Sequence, residues 1–402
     1  MLVVDGLGDL PIAALGDRTP LEAAETPVLD RLAGSGLYGL VDPIAPGQVP
    51  NTDSGVGMLL GLQPGQAELL RRGPIEAAGA GRPLAPGEIA VRANLASVER
   101  RDGRIWINDR RAGRITEDTA QLAAALDGLL LDDGLRADYR PTDQHRGVLV
   151  LSGEGLEAEV SDTDPGDSLA PGFMNECRPL APGAQRAAAA INAFVAAAYR
   201  RLDDHPVNRA RRRAGLPAAN GIITRGAGAW FRPANRLSEA GLQGAVVAGC
   251  NTVLGLASVF GFSRLQRPGF TATLETDLEG KVATALSALD DHHLVFLHVK
   301  APDICGHDRR PEAKCRFLQR LDQAIAPLAE AGNVLALTSD HTTDSNVGAH
   351  TADPVPSLLF DPQTSGGTRN VVSFGESACR EGTMPRQRSH EFLGRVMAAM
   401  GA

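Results

Sequence analysis

The chain has 402 residues and a formal net charge of −8, with 43% hydrophobic but only 4% aromatic side chains. That length allows two or three domains, with cores packed largely from small aliphatic side chains. The acidic balance argues against non-specific nucleic-acid binding, which needs an excess of Lys and Arg to neutralise phosphates. No apolar run reaches the roughly 18 residues of a membrane-spanning helix. No signal peptide is expected either, since the first apolar run stops at Asp5. The five cysteines are scattered and form no C-x-x-C pair, so neither a zinc knuckle nor a disulfide framework is indicated. The expectation is a reduced, cytoplasmic protein without membrane or nucleic-acid partners.

Residues 1–5, M-L-V-V-D, read as the tail of a strand ending on Asp5. Gly6 and Gly8 follow in a turn where backbone can approach a ligand closely. Thr19-Pro20 with Glu22 predicts a helix start by capping-box chemistry, and Thr26-Pro27 predicts a second. A short strand at 36–41 and a Pro/Gly-rich loop at 43–50 lead into Asn51-Thr52-Asp53-Ser54-Gly55. The Thr52 hydroxyl then stands before an apolar run, Val56 to Leu62, a placement that suits a helix N-terminus. There the dipole and free N–H groups favour a bound phosphate. Taken alone, Thr-x-x-Gly also serves as an ordinary helix cap.

From 71 to 215 the texture changes to more arginine and irregular turns, which reads as an inserted, smaller α+β domain. Arg110, Arg111 and Arg114, with His145 and Arg146, could clamp a small phosphorylated carboxylate, because guanidinium forks match both groups in bidentate fashion. A surface salt bridge is the alternative for any one of them. Val148 to Leu151 is a strand, and a helix beginning near Arg186 is expected to close at Asp204-His-Pro-Val-Asn208. Arg209 to Arg213 reads as an anion site or a solvated helix face.

After 216 strand and helix alternate again. Gly221 to Thr224, Gly244 to Ala248, Leu294 to Val299 and Asn333 to Thr338 read as buried strands, as in a mostly parallel sheet flanked by helices. Asp303-x-x-x-His307 follows the third of these, a spacing at which both residues reach one metal. Asp340 and His341 follow the fourth, and His350 lies nine residues beyond His341. In open α/β sheets this carboxyl edge is where ligands bind. Helices are expected at 314–328 and 390–400. Together Asp5, Asp303, His307, Asp340, His341 and His350 make six oxygen and imidazole donors, with Thr52 as a nucleophile. Two divalent ions about 4 Å apart could lower the pKa of such a hydroxyl and polarise a phosphoryl group. Mixed Asp/His ligation suits Mn²⁺ or Zn²⁺, with Co²⁺ or Mg²⁺ as alternatives, and no organic cofactor is called for. A catalytically silent metal-binding protein is the reading from another class. Folding alone has no need of six donors gathered with a hydroxyl, which argues against it.

These residues also carry a resemblance. V-D-G-L-G-D at 4–9, T-P-L-E-A-A-E-T-P-V-L-D-R-L-A at 19–33, R-G-P-I-E-A at 72–77 and N-D-R-R-A-G-R-I at 108–115 are part of it. H-R-G-V-L-V-L-S-G-E-G-L at 145–156, S-D-T-D-P at 161–165, D-H-P-V-N at 204–208, R-G-A-G at 225–228, H-V-K-A-P-D-I-C-G-H-D at 298–308 and D-P-V-P at 353–356 continue it. Over nearly its whole length the chain resembles the archaeal-type cofactor-independent phosphoglycerate mutases of the alkaline-phosphatase superfamily. The resemblance implies an alkaline-phosphatase-like α/β core (1–70 and 216–402) carrying an inserted substrate-binding domain (71–215). It implies one metal on Asp303, His307 and His350, and another on Asp5, Asp340, His341 and Thr52. Thr52 would become the phosphoenzyme in the interconversion of 3- and 2-phosphoglycerate. Arg110, Arg111, Arg114, His145, Arg146 and Asp162 or Asp164 would hold the substrate and exclude water.

The chain departs from the family pattern in places. The nucleophile context is N-T-D-S-G-V where the family has G-S-D-T-A-H, so Thr replaces Ser and Val56 replaces a histidine. G-F-T-A-T at 269–273 replaces G-A-T-G-T, which places Phe270 in a loop expected near the phosphate. L-Q-P at 62–64 replaces Y-D-P. If water took the phosphoryl group, the same centre would be a phosphomonoesterase, or a related enzyme, for another small phosphorylated metabolite. A homo-oligomer is compatible with all of this.

Overall fold

In the computed structural model, residues 1–401 are described except 64, 67–68, 167–169 and 365–372. Pro64 of the L-Q-P motif therefore lies outside the described residues. The chain divides into two compact units: Met1–Leu70 with Pro233–Ala402, and Arg71–Arg232. In chain order the strands are β1 (Leu2–Val4), β2 (Leu37–Asp42), β3 (Ile89–Arg101), β4 (Arg104–Asp109), β5 (Leu129–Leu130), β6 (Arg136–Pro141), β7 (Gly147–Ser152) and β8 (Gly172–Phe173). They continue as β9 (Gly221–Ala229), β10 (Gly244–Val247), β11 (Ser263–Leu265), β12 (Leu294–Val299), β13 (Leu335–Thr338), β14 (Thr342–Asp344), β15 (Ala349–Thr351), β16 (Val355–Phe360) and β17 (Gln387–Arg388).

The first unit is built on an eight-stranded sheet in the order β11-β10-β12-β1-β13-β16-β2-β17. β1 lies between β12 and β13 and runs parallel to both, with Leu2 beside Leu297 on one side and Leu337 on the other. β16 is antiparallel to β13 and β2. Every residue of β1, β12 and β13 is buried, which explains sequences that are apolar except at His298 and Thr338: a parallel sheet is covered on both faces. Leu2, Val4, Val247, Leu297, Leu321, Leu337 and Phe374 share one core. Each such side chain contributes about 1.5–3 kcal/mol by leaving water. The Thr19 capping box forms as its sequence predicts, with Glu22 N–H donating to Thr19 Oγ1 at 3.2 Å and Thr19 N–H donating to Glu22 Oε2 at 3.0 Å.

The second unit is an antiparallel sheet, β5-β6-β7-β3-β4-β8, with β9 also paired to β3. Its core joins Ile89, Val91, Leu149 and Leu151 to Ile191, Phe194 and Ala198 of the helix Gln185–Leu202. The expected border at 215 needs correction. β9 pairs with β3 from Ala96↔Gly221 to Ile89↔Ala229, so that segment belongs to the second unit. An apolar run such as Gly221 to Thr224 looks alike in either sheet, because the central strands of both are buried. Two helices also differ from expectation. Asp204 to Asn208 does not close the preceding helix: His205 caps a new one, Pro206–Arg213, by accepting the Val207 N–H at 3.3 Å. The expected helix over 314–328 is two, Pro311–Ala324 and Ala326–Glu330, with Pro327 in the first turn of the second. Among the described residues no helix is long and apolar enough to cross a membrane.

Candidate active site

Three neighbouring parallel strands of the first unit end on one edge. β1 runs into Asp5, β12 into Lys300 and the helix Ala301–His307, and β13 into Asp340 and His341. Because β12, β1 and β13 are adjacent and parallel, their carboxyl ends coincide. His350 returns on the hairpin β14–β15, opposite Thr343. Thr52 is the first residue of the helix Thr52–Leu59. That helix approaches closely because of Gly55, where a Cβ would lie 2.1 Å from the Asp340 carbonyl oxygen.

His341 Nε2 lies 3.3 Å from Asp5 Oδ1, 3.3 Å from Asp340 Oδ2 and 3.4 Å from Thr52 Oγ1. Asp303 Oδ1 lies 3.4 Å from both His307 Nε2 and His350 Nε2, and 3.9 Å from His341 Nε2. Two overlapping donor groups result, Asp5–Asp340–His341 and Asp303–His341–His350, with the ligand atoms of each within 4.8 Å of one another. His341 is common to both groups, whereas the resemblance implies it in only one. His307 joins the second group through His350.

The histidines are oriented by their other ring nitrogens. His307 Nδ1 lies 2.8 Å from the Gly348 carbonyl oxygen and His350 Nδ1 lies 3.0 Å from that of Pro50. A carbonyl only accepts, so each Nδ1 carries the proton and each Nε2 presents a lone pair. The two Nε2 atoms are 3.0 Å apart, two acceptors facing each other beside a carboxylate. A cation at that point removes the conflict, and this is how metal-ligating histidines are arranged.

The charges agree. Asp5, Asp340 and His341 are fully buried and Asp303 nearly so. Burial, reinforced by Asp5, pushes the Asp340 carboxyl well above the ordinary range, and Asp340 Oδ2 has no hydrogen-bond partner among the described residues. For Asp5 and Asp303 burial also acts upward, but the Lys300 ammonium helps hold both below ordinary carboxylate values. Lys300 Nζ donates to Asp5 Oδ1 at 2.8 Å, Asp303 Oδ2 at 2.6 Å and Thr52 Oγ1 at 3.2 Å. Burial lowers the pKa of His341, which keeps it neutral. Asp5 and Asp303, ionised beside one ammonium, and Asp340, whose proton a nearby cation would release, make a donor set that fits divalent cations.

Lys300 and His298 were not singled out from the sequence. His298 Nε2 lies 3.1 Å from Asp5 Oδ2, inside fully buried β12. The available signal was a polar residue within the apolar run L-V-F-L-H-V, since buried polar groups need partners. The departures from the family pattern also have places. Val56 is buried, and Phe270 sits in the core cluster that includes Ala245, Val247, Leu278 and Val282. The added bulk at 270 thus fills the interior of the first unit.

In the second unit Arg110 and Asp164 are both buried and form an ion pair. Arg111 is half-buried, and Arg114 and Arg146 are exposed. Asp162 is exposed and accepts the Gly226 N–H at 2.9 Å. His145 is buried, and its Nδ1 has no hydrogen-bond partner among the described residues. Burial first, then Arg146, Arg92 and Arg111, push its imidazole down to about 3. Arg92, in the middle of β3, was also missed. Burial pulls its guanidinium down to about 9, Glu76 opposes this, and Arg146, Arg225 and Arg72 add to it. Like charges crowded in this way suit an anion. The sequence signal was a charge interrupting the apolar strand I-A-V-R-A-N-L.

The chain is similar to several known proteins. Residues 33–208 match the family profile described as 2,3-bisphosphoglycerate-independent phosphoglycerate mutase. A protein of that name from Ignicoccus hospitalis is 39% identical over 391 residues, covering 96% of this chain and 93% of its own. One from Archaeoglobus fulgidus is 40% identical over 401 residues, covering 98% and 95%. The cofactor-independent phosphoglycerate mutase structure from Thermoplasma acidophilum superposes with a TM-score of 0.69 at 30% identity, covering 100% of this chain and 98% of its own. The PH0037 protein of Pyrococcus horikoshii gives 0.81 at 28% identity, covering 100% and 96%. The chain belongs to the 2,3-bisphosphoglycerate-independent phosphoglycerate mutase family of enzymes.

Proposed function

We propose that the protein interconverts 3-phosphoglycerate and 2-phosphoglycerate through a phosphothreonine at Thr52, with two divalent metal ions held by the strand-end donors. The observation that carries this reading is the convergence of Asp5, Asp303, Asp340, His341 and His350 with the Thr52 hydroxyl at one sheet edge. Asp5, Asp340, His341 and Thr52 would hold one ion, and Asp303, His307 and His350 the other. Bound there, divalent ions would supply charge neutralisation for the phosphoryl group and make the hydroxyl easier to deprotonate.

The chain's own groups do the rest. Thr52 Oγ1 attacks phosphorus, so that its O–P bond forms as the substrate's O–P bond breaks. The helix N-terminus at Thr52 favours the phosphoryl charge. Lys300 Nζ, 3.2 Å from Thr52 Oγ1, stabilises negative charge developing on that oxygen. The dephosphorylated glycerate stays bound, and its other hydroxyl takes the phosphoryl group back. Arg111, Arg114 and Arg146, with Arg92 and neutral His145, match the anionic groups of a small phosphorylated carboxylate. Arg110, Asp162 and Asp164 shape that cluster.

The departures at Thr52 and Val56 favour a second reading, in which water takes the phosphoryl group and the enzyme is a phosphomonoesterase. Incubation with 3-phosphoglycerate and Mn²⁺ separates the two. Formation of 2-phosphoglycerate with little free phosphate is expected. Free phosphate without 2-phosphoglycerate would establish the second reading instead, and no conversion would redirect the search to other phosphate monoesters.

A further inference from the structure

Thr343 lies in the middle of β14 and is fully buried. Its Oγ1 is 2.8 Å from Asp303 Oδ1 and 3.1 Å from His341 Nδ1. A hydroxyl has one proton to give, and the ionised carboxylate only accepts, so that proton goes to Asp303. The hydroxyl oxygen then faces His341 as an acceptor, and Nδ1 of His341 must carry the imidazole proton. Nε2 is then left with a lone pair among Asp5 Oδ1, Asp340 Oδ2 and Thr52 Oγ1, an arrangement that a bound cation reconciles. His307 and His350 reach the same state through backbone carbonyls. His341 reaches it through one side-chain hydroxyl.

The seat of that hydroxyl is built tightly. A Cβ at Gly6 would lie 2.6 Å from Thr343 Oγ1, and one at Gly306 would lie 2.7 Å from Thr343 Cγ2. Both neighbours are thus kept without side chains where Thr343 packs. The backbone is held as well. Thr343 N–H donates to the Gly8 carbonyl at 3.0 Å, and the Thr343 carbonyl accepts from buried Lys314 Nζ at 3.4 Å. Lys314 in turn donates to Asp9 Oδ2 at 2.7 Å. Asp9 also accepts the Ser345 N–H at 2.9 Å and the Ser345 hydroxyl at 2.6 Å.

We propose that Thr343 is a positioning residue whose hydroxyl sets the tautomer of His341 and the orientation of Asp303, coupling the two metal-binding groups. The proposal rests on the two-metal reading given above. Groups that orient metal ligands typically change metal affinity 10–100-fold when removed. Thr343→Val keeps the shape and removes the hydroxyl, whereas Thr343→Ser keeps the hydroxyl and removes the methyl.

The test is titration of the metal-free full-length protein with Co²⁺, followed by visible absorption and by competition with a chelator. The expected result is a 10–100-fold loss of Co²⁺ affinity and an altered absorption spectrum in Thr343→Val, with Thr343→Ser restoring both. Parent-like affinity and spectrum in Thr343→Val, or equal losses in the two variants, would overturn the proposal. Parent protein that binds no Co²⁺ would overturn the two-metal reading itself, and this proposal with it. A second measurement does not depend on how the valine variant folds. ¹⁵N NMR of the Zn²⁺-loaded parent should show His341 protonated at Nδ1, and protonation at Nε2 would overturn the assignment.

Discussion

In the first unit the unbalanced charges are carboxylates at the ends of β1, β12 and β13, buried and packed against helices. In the second they are guanidiniums on and beside an antiparallel sheet, from buried Arg92 to exposed Arg146. One unit gathers negative charge, which suits a cation, and the other positive charge, which suits an anion. The difference in burial matters as much as the sign. Groups at the strand ends are fixed by neighbours on several elements, so they suit chemistry that needs fixed geometry. Arginines at a partly exposed face suit binding. Substitutions in the first unit should therefore act on turnover, metal and pH response, and those in the second on substrate affinity.

The largest effect is expected from Thr52→Ala. Removal of a nucleophile lowers turnover by on the order of 10⁵-fold or more, while metal content, read by elemental analysis, should stay at the parent level. Activity within tenfold of the parent would end the assignment of Thr52.

Next in size is a buried carboxylate of the first unit away from the strand ends. Glu376 accepts the Asp9 N–H at 3.0 Å and the Thr19 hydroxyl at 2.6 Å, and burial pushes it up to about 7 from an ordinary 4.5. The folded state therefore holds this proton more tightly than the unfolded chain. Its contribution is fully present below about pH 4.5 and is lost as pH rises through about 7, a change of roughly 3 kcal/mol. Urea unfolding at pH 5 and pH 8 should show a smaller fall in stability for Glu376→Gln than for the parent. Parallel falls in the two proteins would contradict the assignment.

Smaller again is Arg111→Met in the second unit. Losing one charge-assisted contact to an anion should raise KM about 10–100-fold, with kcat and metal stoichiometry little changed. A fall in kcat at constant KM would break the division of labour between the units. The smallest effect is expected at Arg209, whose exposed pair with Asp204 spans 2.9 Å. Arg209→Ala should shift unfolding free energy by less than about 1 kcal/mol and leave KM unchanged. A raised KM would extend the anion-binding face to that helix.

Asp5, Asp340 and His341 stood out as candidates because a buried strand announces itself by an apolar run, and the polar residues that follow it stand at the ligand-binding edge; Asp303 stood out by its spacing of four from His307 beyond such a run. The Thr19 capping box was legible for a similar reason, since its partners are three residues apart. Local chemistry of this kind is written along the chain. The second crossing between the units was not, because β9 belongs with β3 only through a pairing between distant segments. Lys300 and Thr343 escaped notice for the same reason, each being one ordinary side chain until folding sets it against others, whereas His298 and Arg92 were marked by breaking an apolar run. Which residues end strands, and which donors they offer, follows from sequence alone. Which proton each histidine keeps, which ammonium sits among the carboxylates, and which glycines make room for Thr343 were decided only when adjacent strands brought distant atoms to within about 3 Å, where hydrogen bonds form.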